Sequence, residues 1–68
     1  MNLAFYLQQF VNDCLENRQE NGYPNNESAI EMAEDICHLV KGAEQINPQL
    51  LVPFIEEWQT KKREEGNV

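Results

Sequence analysis

The chain has 68 residues, of which 41% are hydrophobic and 25% are charged, with twelve acidic residues against five basic ones and a net charge of −7. This length fits one domain, and the composition excludes an intrinsically disordered chain. The acidic balance disfavours nonspecific binding to nucleic acid or to an anionic membrane; it either permits docking on a basic protein surface or simply keeps the protein soluble.

The first predicted element is a helix over residues 3–20. Its apolar residues recur at the i, i+3, i+4 spacing of one buried face: Leu3, Tyr6, Leu7, Phe10, Val11, Cys14 and Leu15. Asn2 can cap its start, and Asn21 with Gly22 ends it because both residues tolerate positive φ. We expect Tyr23, in the link that follows, to fold back onto the bundle, with exposure to a partner as the alternative.

The second predicted element, over residues 28–41, is the most clearly marked helix of the chain. Ser28 and Glu31 form a capping-box pattern at its start, and Gly42 stands where a left-handed closing residue belongs. Its apolar residues cover an arc of about 180°: Ala29, Ile30, Met32, Ala33, Ile36, Cys37, Leu39 and Val40. Because such an arc can contact two helices, we expect this helix to be central, with Ile36 among the most buried residues.

A third helix is predicted over residues 48–64. Asn47 and Pro48 are a start signal, as cap and first helical residue. Its apolar face comprises Leu50, Leu51, Phe54, Ile55 and Trp58. Pro53 removes a backbone hydrogen bond and disfavours helical geometry at Val52, so it predicts a kink or a break. The last residues of the chain are expected to fray.

These elements predict an all-α fold, a compact three-helix bundle that forms a single domain over residues 1–68, with the third helix kinked or broken near Pro53. No stretch alternates with period two, so no sheet is predicted. Neither a signal-peptide pattern nor a membrane-spanning apolar run is found, so we expect a cytoplasmic protein without a membrane partner. Cys14 and Cys37 lie on apolar arcs and are expected to be buried reduced thiols, with a disulfide as the alternative.

The sequence offers little for catalysis or metal binding. His38 is the only histidine, and it lies on the polar arc one turn after Glu34, where a solvated ion pair is the simpler interpretation. Cys37 points about 100° away from it, into the core face, which argues against a Cys–His nucleophile pair. The two cysteines and His38 lack zinc-site spacing, and the Asp35–His38 pair has no second, inward-facing copy. We therefore expect no catalytic residue, no metal and no cofactor.

Four acidic residues lie on one side of the second helix and its cap: Glu27, Glu31, Glu34 and Asp35. Such a surface can imitate a row of phosphates and occupy a nucleic-acid-binding groove, although an ordinary solvated helix face has the same composition. The basic cluster at residues 61–63 is flanked by acidic residues, so direct binding to nucleic acid is not expected.

Phe5 breaks the pattern of the first helix because it lies outside the apolar arc. Its neighbours on that side are mostly uncharged polar residues: Gln8, Gln9, Asn12 and Glu16. An aromatic ring with a polar rim is typical of a protein-binding surface. The alternative is that the C-terminal segment covers Phe5.

The sequence thus predicts a small, acidic, non-enzymatic protein-binding or regulatory module. One form of it is an inhibitor that docks on a basic surface of a nucleic-acid-handling protein. The alternative is a structural subunit that self-associates, as a homodimer or larger homo-oligomer, through the first helix. A small enzyme or metalloprotein is least favoured. The expected partner is in every favoured case a protein, either a different one or a second copy.

Overall fold

The computed structural model describes residues 2–66, which form three α-helices and one 3-10 turn and contain no strand. The elements are α1 (Leu3–Glu20), α2 (Ala29–Leu39), the 3-10 turn (Pro48–Leu50) and α3 (Val52–Glu64). The all-α, three-helix prediction is confirmed. Asn67 and Val68, on which the predicted fraying falls, lie outside the described residues.

Local side-chain and backbone chemistry sets both ends of α1. Asn2 Oδ1 accepts hydrogen bonds from the backbone N–H of Ala4 at 3.0 Å and of Phe5 at 3.4 Å. At the other end, Gly22 has a φ of +83°, and the next N–H, that of Tyr23, reaches back to the Arg18 carbonyl at 2.9 Å. This is a Schellman closure, which needs a left-handed residue and favours glycine there.

The start of α2 is capped as predicted, but with a different hydrogen bond. Ser28 Oγ accepts from the Glu31 N–H at 3.4 Å and donates its own proton to the Glu31 carboxylate at 2.7 Å. The carboxylate is therefore held by the hydroxyl, and not by the backbone N–H of Ser28 as a capping box would have it. The helix ends two residues earlier than predicted, at Leu39, and Gly42 adopts a φ of +90° in the turn beyond.

The third predicted helix is broken, as expected from Pro53. Asn47 Oδ1 accepts from the Gln49 N–H at 3.0 Å and starts the 3-10 turn, and Leu51 separates that turn from α3. Pro53 falls in the first turn of α3, where a missing N–H has no helical partner to lose. The break therefore moves the proline from a helix interior to a tolerated position.

The core is one cluster to which all three helices contribute: Val11, Leu15, Met32, Ala33, Ile36, Cys37, Leu51, Ile55 and Trp58. Backbone approaches link α3 to both α1 and α2, whereas α1 and α2 approach each other little. The prediction that α2 is central is therefore wrong, since α3 holds that position. The apolar arc of α2 is wider than the arc that the helix buries. Ile30 and Leu39, at the edges of the apolar arc, remain 38% and 72% exposed.

The link between α1 and α2 is held by polar contacts, and not by the aromatic ring. Tyr23 lies back against α1, as predicted, with its ring centre 5.6 Å from the Arg18 guanidinium carbon. The ring nevertheless remains 58% exposed and does not enter the core. Asn25 is the buried residue of the link. Its amide donates to the Leu15 carbonyl at 2.9 Å, and its Oδ1 accepts from Arg18 Nε at 3.1 Å.

Candidate functional site

The first turn of α1 is apolar on all sides and exposed. Leu3, Phe5 and Tyr6 are 68%, 69% and 59% exposed, and Ala4 between them is exposed as well. Successive helical residues are rotated by about 100°, so these four side chains surround the helix. A helix segment that is apolar all round is normally buried, and within residues 2–66 nothing buries this one.

The relative placement of the helices explains this exposure. Gln8 Nε2 lies 3.5 Å from the carbonyl oxygen of Phe54, the third residue of α3. Further along, Trp58 Nε1 donates to Glu16 Oε1 at 3.4 Å, so α1 and α3 run parallel. The first turn of α1 thus extends past the start of α3. The predicted buried face of α1 is wrong at its first two members, Leu3 and Tyr6, for this reason.

A shallow groove of about 190 Å³ lies beside this turn. Its apolar lining comes from α1 and from the chain that follows α2: Tyr6, Leu7, Phe10, Val40, Ala43 and Ile46. Among the described residues that line it, Lys41 alone carries a charge. The groove continues the apolar surface of the first turn onto a second element of the fold.

Phe5, the proposed anchor, is 69% exposed, so the alternative that the C-terminal segment covers it is wrong for the part of that segment within residues 2–66. The polar neighbours predicted for Phe5 differ in their exposure. Gln9 is exposed and donates to Asp13 Oδ1 at 3.2 Å. Gln8 and Asn12 are half-buried and hydrogen-bonded to each other at 3.0 Å.

Glu16, the last of the predicted rim residues, belongs to the contact between α1 and α3. Its carboxylate accepts from the Trp58 indole and lies 3.0 Å from Lys62 Nζ. The lysine also lies 5.4 Å from the indole ring centre. These groups satisfy one another within the chain, so Glu16 contributes to the contact between α1 and α3 while its side chain remains 47% exposed.

The acidic surface on α2 is partly neutralised by Arg18, a residue to which the sequence analysis assigned no role. Arg18 Nη2 lies 3.5 Å from Glu27, and Nη1 lies 3.8 Å from Asp35, with the arginine side chain only 11% exposed. Glu31 is held by the capping hydroxyl. Glu34 is exposed and has no ion pair within residues 2–66. The field of this surface is therefore weaker than its four carboxylates suggest.

A polar cleft of about 400 Å³ lies where the link crosses α3. Gln59, which is 7% exposed, donates through Nε2 to the carbonyls of Asn25 at 3.2 Å and Glu27 at 2.8 Å. Arg63 and Asn26 complete its wall. These hydrogen bonds fasten the link to α3, which gives the buried groups of the cleft a structural role.

The remaining chemically active side chains do not converge on a site. His38 is exposed and makes no ion pair with Glu34 within the described chain. Cys14 and Cys37 are free thiols, and Cys37 donates weakly to the Ile46 carbonyl at 3.5 Å. No group of three or more His, Cys, Asp or Glu side chains in residues 2–66 is arranged to hold a metal ion. Each described helix is too short or too polar to traverse a lipid bilayer.

Comparison with known proteins finds no match among protein-family models, curated proteins or solved structures. The geometry of the chain itself is therefore what supports a function.

Proposed function

We propose that this chain is a small non-enzymatic protein-binding module that docks through the apolar first turn of α1, with Phe5 as an anchor. The observation that carries the proposal is the exposure of three large apolar side chains, Leu3, Phe5 and Tyr6, on one helical turn. Small soluble domains rarely expose such a patch unless it is used. Burying one such ring in a partner is worth about 1.5–3 kcal/mol.

The charge distribution supports the same surface. The first charged side chain in the sequence is Asp13, so the opening stretch up to Asn12 is uncharged in a chain whose net charge is −7. Depletion of charge is what distinguishes the centre of a protein interface, because a charge there would have to be desolvated. The exposed N-terminal end of α1 meets this condition.

The acidic residues act at longer range in this proposal. Glu31 and Glu34 are exposed, and the chain as a whole is acidic, so a basic partner would be attracted during encounter. Inhibition of a nucleic-acid-handling protein is one form of the proposed function, in which the acidic side steers and the apolar turn anchors. The proposed compartment is the cytoplasm, supported by two free thiols in the core region.

Phe5→Ala tests the proposed anchor. Because the ring is 69% exposed, the free energy of unfolding of the variant should differ from that of the parent by less than about 1 kcal/mol. Capture of a partner from an extract of the native host should weaken by about 2 kcal/mol, roughly 30-fold. Leu50→Ala is the matched control, since Leu50 is also apolar and 56% exposed but belongs to the 3-10 turn.

Thermal melts and quantitative pull-downs of both variants decide the question. A Phe5 variant that unfolds would make the ring a packing residue. One that folds and captures the same proteins as the parent and as the Leu50 variant would leave Phe5 without a binding role.

A further inference from the structure

We infer that the side of α1 opposite Phe5 binds a second copy of this chain, so that two molecules form a symmetric antiparallel pair of α1 helices. The inference deepens the proposed function, because it rests on the end of α1 being a docking surface. It assigns one side of that end to the second copy and leaves the Phe5 side to a different partner.

The contact surface is a stripe of four apolar residues. Leu3, Tyr6, Leu7 and Phe10 follow the i, i+3, i+4, i+7 spacing and fall within an arc of about 100°. Leu3 and Tyr6 are exposed, and Leu7 and Phe10 are half-buried beside the groove. Phe5 is rotated by about 200° from Leu3 and lies on the other side of the helix.

A twofold axis between Tyr6 and Leu7 makes this stripe complementary to itself. In an antiparallel pair, Leu3 then faces Phe10 of the second copy, and Tyr6 faces Leu7. Every contact occurs twice, as a closed twofold interface requires. The groove beside Phe10 has about 190 Å³, and a cavity of about 150 Å³ already accepts a benzene molecule, so the groove has room for the facing leucine side chain.

The charge distribution permits a second copy at this end of α1. Each molecule has a net charge of −7, but no charged side chain precedes Asp13. In the proposed pair, Asp13 lies about 10 Å from the axis, just beyond the start of the facing helix. A carboxylate there meets the positive end of that helix dipole. The two Asp13 residues are about 20 Å apart, more than twice the screening length at physiological salt.

The size of the surface sets the strength of the pair. A standard interface buries about 800 Å² on each partner, and a four-residue stripe with its groove offers less. The dimer should therefore be weak, with a dissociation constant in the micromolar range. Phe5 stays exposed in the pair, which keeps it accessible to another protein.

Sedimentation equilibrium tests the inference on three proteins. The parent chain should change from monomer to dimer between about 1 µM and about 500 µM. Leu3→Glu should weaken the dimer at least about tenfold, because it places a carboxylate against Phe10 of the second copy. An acid in the first helical turn favours the helix itself, so this variant should fold. Phe5→Glu is the control: it adds the same charge in the same turn on the opposite side, and should change the dimer less than about threefold.

Tyr6→Gln is a second variant, which removes the ring without adding charge and should weaken the dimer as well. The inference is overturned by a parent that remains monomeric, by a species larger than a dimer, or by Leu3→Glu and Phe5→Glu weakening the dimer equally. If the parent is monomeric but still captures a protein through Phe5, the dimer inference is wrong and the proposed function is supported. If the dimer forms and is unaffected by Phe5→Glu, but no protein is captured through Phe5, the proposed function is wrong and the dimer inference is supported.

Discussion

The two cysteine side chains have environments that suppress thiol reactivity. Cys37 is 5% exposed within the core, and Cys14 is half-buried against it. Burial raises the pKa of both thiols above the ordinary value of 9.0, and for Cys14 the nearby Asp13 and Cys37 raise the pKa further. Since only the thiolate is nucleophilic, both side chains stay unreactive at neutral pH.

We expect alkylation of Cys14 and Cys37 to be slow in the native protein and fast once it is denatured. The native rate should increase with pH and level off only above pH 9.0, because the raised pKa keeps both thiols mostly protonated up to that point. The unfolded thiols lose their protons first as the pH rises, so this burial stabilises the fold below pH 9.0 and contributes less above it. Mass spectrometry after timed iodoacetamide treatment measures both rates. Rapid native labelling of either cysteine would contradict its assigned position.

At the scale of elements, Arg18 joins three parts of the chain. From α1 its guanidinium donates to the Pro24 carbonyl at 3.0 Å and to Asn25 Oδ1 at 3.1 Å in the link, and it pairs with Asp35 of α2. Because α1 and α2 approach each other little, these contacts, together with the shared core, hold the two helices in their relative positions. A helical wheel places Arg18 among the polar residues at the end of α1 and gives no sign that it fixes the link.

Arg18→Ala should destabilise the fold by about 2 kcal/mol. The substitution leaves the acceptors in the link without a donor, and Asn25 is only 9% exposed. Arg63→Ala is the matched control, since Arg63 is exposed and makes no ion pair within residues 2–66; its effect should stay within about 0.5 kcal/mol. Urea unfolding curves of both variants provide the comparison. Equal midpoints would show that the Arg18 contacts contribute little to stability.

The whole molecule depends on a small core. A domain of this size gains only about 3–5 kcal/mol of net stability from a single core, so one large cavity should be enough to unfold it. Ile36, at 2% exposure, lies among buried side chains of all three helices.

Ile36→Ala should cost about 2–5 kcal/mol and largely unfold the protein. Ile30→Ala is the matched control, because it makes the same chemical change on the same helix at a residue that is 38% exposed. The control should cost less than about 1.5 kcal/mol, since part of that side chain is already in water. Thermal melts followed by circular dichroism compare the two. A melting curve for the Ile36 variant that matches the parent would contradict the packing described here.

The sequence alone was enough to predict the three helices, the capping residues and an interruption near Pro53, although it left open whether that interruption is a kink or a break. Asn2, Ser28 and Asn47 cap the helices or turns that follow them, and Gly42 adopts the left-handed conformation expected of it. The candidate site was predicted in part, through Phe5. Its other half, Leu3 and Tyr6, was assigned to the core, because a helical wheel shows which residues share a face but not how far along the helix that face is covered.

Caps, turns and proline breaks could be predicted because they depend on hydrogen bonds and φ restrictions among residues within about five positions of one another. Burial depends on what a distant part of the chain places opposite a residue. Leu3 and Tyr6 are exposed because α3 begins beside Gln8, and Arg18 is nearly buried because the link folds over it. The residues of each helix were thus determined locally, whereas the choice between core and surface was made by where the neighbouring elements begin and end in space.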